Sequence, residues 1–244
     1  MNVLSRNQLK ELAKFSQKKY RDLEQKVIVE GFRLIQQLLE NGTEIEEIYT
    51  TDPENLKILP DIKCKIFQVE QWQLEKITST KHPQNIAALV PLRKLPILRK
   101  KFLLYLDNVS EPGNLGTIFR TAAAAGIDGI VLSPECCEVY NPKVIRASLG
   151  SVFSIPFEIQ AANWLKDQDS ILISTGLKNS KNLFEIKVPD KDKILVLGSE
   201  AHGISQTILK ISDFNVHIPM SDNIESLNVA VAAGIIIFHL QNAR

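Results

Sequence analysis

Leu195-Val196-Leu197-Gly198-Ser199-Glu200-Ala201-His202-Gly203-Ile204-Ser205 is the stretch that decides the fold. Preceded by Ile194, it opens as an unbroken apolar run, stops at a glycine, crosses a loop of small residues and leads into a helical stretch at 205–211. A strand apolar at every position is one covered on both faces, as in a parallel sheet with helices on each side. Loops at the carboxyl ends of such strands are where ligands bind, and glycine there allows close approach of the backbone. The loop is not a P-loop, because no Gly-Lys-Ser/Thr follows, and it lacks the Gly-x-Gly-x-x-Gly dinucleotide fingerprint. Glu200 reads equally as support for the next helix, and His202 as a surface residue.

The same alternation runs outward in both directions. Strands are predicted at 102–108, 129–133, 152–157, 171–175, 193–198 and 215–218, with helices at 115–125, 142–149, 163–166, 205–211 and 226–242. Residues 1–91 read as a separate small α/β domain. A short amphipathic helix carries Leu4, Leu9, Leu12 and Phe15, and a helix over 32–40 is stopped by Asn41-Gly42. Further strands are predicted at 47–51, 65–69 and 86–91, with a helix near 69–77. Between the domains lies Pro91-Leu92-Arg93-Lys94-Leu95-Pro96-Ile97-Leu98-Arg99-Lys100-Lys101, whose prolines and charges mark a solvated linker at 92–101. The second domain is then 102–244.

Composition narrows the class of protein. Of 244 residues 44% are hydrophobic and 23% charged, ordinary for a globular chain, and net charge is +1. The charge is unevenly spread: residues 1–101 hold 18 Lys and Arg against 13 Asp and Glu, the remainder 11 against 15. That excess is compatible with a polyanion partner but equally with a solvated surface. Three cysteines, Cys64, Cys136 and Cys137, fit neither a disulfide framework nor a zinc site, so reduced thiols, a cytoplasmic home and no metal are expected. The first 19 residues have no apolar core for a signal peptide. The longest apolar run, 229–240, is broken by His239 and is shorter than the ~20 residues a membrane span needs.

Two further segments carry polar groups at places that ask for a partner. In Asp107-Asn108-Val109-Ser110-Glu111-Pro112-Gly113-Asn114-Leu115-Gly116-Thr117-Ile118-Phe119-Arg120 a strand runs into a Pro-Gly turn. Asn114 reads as the N-cap of the next helix. Arg120, embedded among apolar residues, reads either as a paired structural cation or as a phosphate-binding group. In Ile218-Pro219-Met220-Ser221-Asp222-Asn223-Ile224-Glu225-Ser226-Leu227-Asn228, polar Glu225, Ser226 and Asn228 stand before a small-residue apolar helix. Burying such groups unpaired costs roughly 2–7 kcal/mol each, so they are expected to face a ligand or a partner chain.

Taken together, the Asn114-to-Arg120 block, the Gly198-x-Glu200-x-x-Gly203 loop and the Ile218-Pro219-Met220-to-Asn228 block resemble the SpoU family of RNA ribose 2'-O-methyltransferases. The resemblance covers roughly residues 102–244. The N-terminal part resembles an L30e/L7Ae-like RNA-binding domain through Lys19-Tyr20-Arg21, Val29-Glu30-Gly31 and Thr80-Lys81-His82-Pro83-Gln84. The resemblance implies an α/β fold closed by a deep trefoil knot, a homodimer, and S-adenosyl-L-methionine as cofactor. It places Thr175, Gly198, Gly203, Ile218, Met220 and Leu227 around that cofactor. Arg120, Asn114, Glu200, Ser226 and Asn228 fall at the reacting centre, and Lys19, Arg21 and Arg120 on RNA. Arg120 is expected to hold a phosphate and steady developing oxyanion charge, since a guanidinium stays protonated and makes a poor base. Ser199, Ala201, Asp222 and Ala230 depart from the family pattern, as does Asn85 after Pro-Gln, where glycine is usual. The substrate implied is ribosomal RNA of the 23S type. The alternatives are a tRNA-directed enzyme and a catalytically silent RNA-binding protein on the same scaffold.

Overall fold

The computed structural model describes residues 2–80, 82–199, 202–221 and 223–242. The chain forms two compact units, Met1–Arg93 with Tyr140–Ser154, and Lys94–Val139 with Ile155–Arg244.

The first unit is built on a five-stranded mixed sheet. In chain order its elements are β1 (Asn2–Val3), α1 (Arg6–Ala13), α2 (Lys18–Glu24), β2 (Lys26–Glu30), α3 (Phe32–Glu40), β3 (Glu47–Thr50), β4 (Lys65–Gln68), α4 (Gln71–Ile77) and β5 (Ile86–Pro91). The strand order is β1-β4-β3-β5-β2, with β5 antiparallel to both its neighbours. Leu9, Leu12, Phe15, Tyr49, Phe67, Leu74 and Ile77 are packed in one apolar core. Helix α1 starts on a capping box between Ser5 and Gln8, and α3 ends as its sequence predicts, with Gly42 at φ 70° after Asn41.

Helix α2 was not foreseen, because its residues form no apolar stripe, and it explains Arg21. That side chain is 3% exposed, and its Nη1 donates to the carbonyls of Phe15 (2.9 Å) and Ser16 (3.0 Å). The sequence-based assignment of Arg21 to RNA is therefore corrected: a guanidinium enclosed this way closes the turn between α1 and α2 and cannot reach a phosphate. Lys19, two residues earlier, is exposed, with its Nζ 5.9 Å from the Tyr20 ring centroid. Arg21→Met is expected to lower stability by about 2 kcal/mol, since hydrogen bonds to charged groups contribute about 1.5–3 kcal/mol. Urea denaturation measures it, and the salt dependence of RNA binding should not change.

The second unit carries a seven-stranded sheet in which each neighbouring pair is parallel. Its elements are β6 (Phe102–Asp107), α5 (Pro112–Ala125), β7 (Gly129–Leu132), β8 (Phe157–Ile159), β9 (Ile171–Thr175), β10 (Lys181–Asn182), β11 (Lys193–Gly198), α7 (Gln206–Leu209), β12 (Phe214–His217) and α8 (Val229–Asn242). Helix α6 (Pro142–Ser148) lies in the excursion that packs with the first unit. The strand order is β10-β12-β9-β11-β6-β7-β8. The β6 and β11 pair runs in register from Phe102 opposite Lys193 to Asp107 opposite Gly198, and both are buried along their centres, as their continuous apolar sequences require.

Several predicted boundaries moved. The strand expected at 152–157 is a short 3-10 turn at Ser151–Phe153, and pairing starts only at Phe157, after Pro156, which has no N–H to give. The chain reaches that turn through Leu149 and Gly150, both at positive φ, and a Cβ on Gly150 would sit 2.9 Å from Leu34 Cδ1. The helix expected at 163–166 is a 3-10 turn, Ala162–Asp167. The last helix begins at Val229 rather than Ser226, which leaves Ser226 and Leu227 in an irregular segment.

Candidate active site

Strands β6 and β11 finish side by side, and the chain leaves each through a constrained turn. Asn108, at φ 60°, turns the chain out of β6, and its N–H donates to Ser133 Oγ at 3.0 Å. Helix α5 then starts earlier than the sequence suggested. Pro112 takes the first helical position and Glu111 is the N-cap, its carboxylate accepting from the Asn114 backbone N–H. The N-cap assignment of Asn114 is thus corrected, and its side chain has another use: Asn114 Oδ1 accepts from Asn228 Nδ2 at 2.8 Å. Capping falls instead to Asn228, whose Oδ1 accepts from the N–H groups of Ala230 (2.9 Å) and Val231 (3.3 Å) at the start of α8. One amide thus caps α8 and ties it to α5.

Substitution can separate the two roles. Asn228→Ala removes both and is expected to cost about 1 kcal/mol from the cap alone, or about 2–4 °C in Tm for a chain of this size. Asn228→Asp keeps an N-cap acceptor but replaces the donor facing Asn114 with a second acceptor. Its Tm should fall less than that of the alanine variant, while activity falls as far.

Arg120 lies on α5 six residues beyond Asn114. The buried face of that helix is formed by Leu115, Gly116, Ile118, Phe119 and Ala122, and Arg120 is exposed. Among the described residues it makes no hydrogen bond or ion pair.

The loop after β11 is folded back on itself. Gly203 N–H donates to the Ser199 carbonyl at 2.8 Å, and His202 N–H to Ser199 Oγ at 3.2 Å. Ser205 N–H donates to Asp107 Oδ2 at 2.8 Å, which ties the loop to the end of β6. The fold-back leaves no room beside Gly198: a Cβ there would meet the Gly203 carbonyl carbon at 2.2 Å and Ile204 N at 2.4 Å. Gly203 itself needs its positive φ of 64°. Glu200 and Ala201, like Asp222, lie outside the described residues. Under β6, Cys136 Sγ donates to the Leu106 carbonyl at 3.2 Å, and burial pushes its thiol up, away from the reactive thiolate.

At the carboxyl ends of β9 and β12 a cleft of about 100 Å³ opens, with more apolar than polar surface. Its wall includes Thr175, Ile218, Met220, Ser226 and Leu227 from the sequence-based assignment, together with Gly176 and His217. Gly198 and Gly203 are not among the described lining residues, and their part is to shape the neighbouring loop. Gly176 and His217 were missed, although each adjoins an assigned residue at a strand end, which is where ligands gather in such sheets. His217 is held by Ser180, Oγ to Nδ1 2.9 Å, and short β10 pairs beside it. The cleft suits a ligand with apolar surface and a few polar edges. Among the described residues no group of His, Cys, Asp and Glu could hold a metal ion.

Residues 101–238 match the SpoU rRNA Methylase family. The chain belongs to that family. Residues 6–88 match the MRM3-like substrate binding domain. Among curated relatives, the Bacillus subtilis 23S rRNA (guanosine(2553)-2'-O)-methyltransferase RlmP is 33% identical over 240 residues, which cover 96% of this chain and 95% of that one. A 23S rRNA (uridine(2479)-2'-O)-methyltransferase of Streptomyces viridochromogenes is 27% identical over 210 residues, covering 82% of this chain and 71% of the relative. Among solved structures, an AdoMet-bound rRNA methyltransferase from Sinorhizobium meliloti superposes with a TM-score of 0.83 at 28% identity, covering 98% of this chain and 95% of that one. Within this SpoU chain, the α5 and α8 helix starts, the loop after β11 and the cleft beside β9 and β12 are the segments that carry the three motifs.

Proposed function

We propose that this chain transfers a methyl group from S-adenosylmethionine to a ribose 2'-hydroxyl of ribosomal RNA, acting as a homodimer in the cytoplasm. The observation that carries this reading is the joining of two distant motifs by the Asn114–Asn228 bond, on the helix that presents an exposed Arg120 with no hydrogen bond or ion pair among the described residues. It does so in a chain whose 33%-identical relative bears a 23S rRNA 2'-O-methyltransferase name over nearly its full length.

S-Adenosylmethionine supplies a methyl group on a sulfonium, which departs as a neutral thioether. The cleft fits its apolar body: Ile218, Met220 and Leu227 give apolar contact, and Thr175 and Ser226 are among the polar residues that line it. The trefoil threading of the C-terminal segment belongs with this cleft. The 2'-hydroxyl must lose its proton as its oxygen bonds the methyl carbon. Arg120 meets that need by holding the adjacent phosphate and stabilising charge on the oxygen, which favours passage of the proton to solvent water. Asn114 and Asn228 fix the helix starts around the reacting centre, and Ser226 borders it. Glu200 keeps the place the resemblance gives it.

The exposed side of α8 supports a second copy. Val231, Ile235 and Phe238 are 53%, 36% and 45% exposed at helical spacing, on the side away from buried Ala233 and Ile237. Ile235→Asp should give a folded monomer by sedimentation.

The test is incubation with methyl-labelled S-adenosylmethionine and RNA that lacks the modification. Label in 23S rRNA is expected. Label confined to tRNA would move the substrate, and cofactor binding with no label in either would support the silent RNA-binding reading.

A further inference from the structure

His217 ends β12 and lines the cleft at the carboxyl ends of β9 and β12, yet the chemistry above gives it no task. The residue is half-buried, and its ring is held at one nitrogen: Nδ1 lies 2.9 Å from Ser180 Oγ. Which of the two donates is fixed by the next bond along. Ser180 Oγ also donates to the Leu177 carbonyl at 3.0 Å, and a carbonyl can only accept. A hydroxyl has a single proton, so Ser180 has none left for the imidazole and must receive one. His217 therefore carries its proton on Nδ1, and in the neutral ring the free lone pair is on Nε2. Among the described residues Nε2 makes no hydrogen bond.

The loop that carries Ser180 does not depend on His217 for its place. Asn215, two residues earlier on β12, donates from Nδ2 to the carbonyls of Lys178 (2.9 Å) and Asn179 (3.3 Å). Asn179 turns the loop there at φ 51°. The Ser180 bond thus does more for the imidazole than for the loop, because it selects the tautomer that leaves an acceptor at the cleft.

What that acceptor meets follows from the rest of the wall. Leu177, Val216, Ile218, Met220 and Leu227 are apolar, and no carboxylate or ammonium side chain is among the described lining residues. The ammonium and carboxylate of S-adenosylmethionine would lose water there without a charged partner, which is costly. The adenosine half carries no such charge, and its donors are the 6-amino group and the ribose hydroxyls. We infer that His217 is a cofactor-binding residue whose Nε2 accepts a hydrogen bond from the adenosine half of S-adenosylmethionine. Ser180 and the Leu177 carbonyl hold it in the tautomer that can do so. The inference rests on this cleft as the cofactor site.

The test reads the ring nitrogens directly, by nitrogen NMR of the full chain labelled at its four histidines. The spectrum of His217→Phe identifies the resonances that belong to His217. In mildly alkaline buffer the free chain should show Nδ1 protonated and Nε2 bare. Adding S-adenosylhomocysteine should move the Nε2 resonance and leave Nδ1 protonated. A proton on Nε2 in the free chain overturns the inference, and so does an Nε2 resonance that the ligand leaves unmoved. By calorimetry with the same ligand, His217→Phe should bind about tenfold more weakly, the loss of one hydrogen bond. Ser180→Ala should stay within about threefold of the unaltered chain, because Asn215 still holds the loop. Unaltered affinity in His217→Phe, or equal losses in the two variants, would make His217 no more than a support for the loop and overturn its contact with the cofactor. S-Inosylhomocysteine, which has an oxygen in place of the amino group, tells the two donors apart. If the unaltered chain and His217→Phe bind it alike, the amino group is the donor, and if their difference persists, a ribose hydroxyl is. No binding of S-adenosylhomocysteine by the unaltered chain would defeat the cleft as the cofactor site, a failure distinct from that of His217 alone.

Discussion

Arg120→Ala is expected to lower the rate of methyl transfer by roughly 10²–10³-fold, the loss typical when one group that stabilises developing oxyanion charge is removed. The side chain is exposed on α5 and bonded to nothing among the described residues, so its removal leaves no buried group unpaired. Stability should therefore change by less than about 0.5 kcal/mol. Calorimetric affinity for S-adenosylmethionine should also hold, because the cleft is walled by other elements. Arg120→Lys keeps the charge but loses the planar fork that grips a phosphate, and it should recover only a small part of the rate. A variant that unfolds, or loses the cofactor along with activity, would make Arg120 a structural residue.

Gly198→Ala should have the largest effect on the fold of the site. The added methyl would lie 2.2 Å from the Gly203 carbonyl carbon, and backbone cannot swing aside as a long side chain can. Either β11 draws away from β6 or the loop that returns to Asp107 opens. Overpacking of this kind costs about 1–3 kcal/mol or more. Denaturation should show that loss, and calorimetry should show weakened cofactor binding with it. Gly203→Ala is the useful contrast. It meets nothing within 4 Å and suffers only from its φ of 64°, a cost of about 1–2 kcal/mol. Equal effects from the two substitutions would mean that the close approach at Gly198 is not what shapes the loop.

The parallel sheet was legible because its strands, such as Ile194 to Leu197, are apolar without interruption, and only burial on both faces explains that. Elements that depend on distant contacts were not. Helix α2 has no apolar stripe, and its reason for existing is Arg21, whose carbonyl partners at Phe15 and Ser16 no local pattern reveals. The excursion Tyr140–Ser154 joins the first unit through contacts such as Gly150 against Leu34, with no linker composition to announce it. At the site, spacing and resemblance pointed to the motifs, but the local pattern assigned the capping of α5 to Asn114. Pro112 starts α5 two residues before Asn114, so the capping group is Glu111, and Asn228 caps α8 instead. Gly176 carries no chemical signal of its own, and His217, which flanks the third motif, gives none specific to a ligand. Only the convergence of β9 and β12 places them beside the cleft.

The most direct measurement is alkaline hydrolysis of the RNA labelled by this enzyme, followed by separation of the products by charge. A methyl group on a ribose oxygen removes the nucleophile for cleavage of the adjoining phosphodiester, so the label should appear in an alkali-resistant dinucleotide. Label in mononucleotides would place the methyl on a base and contradict ribose 2'-O-methylation.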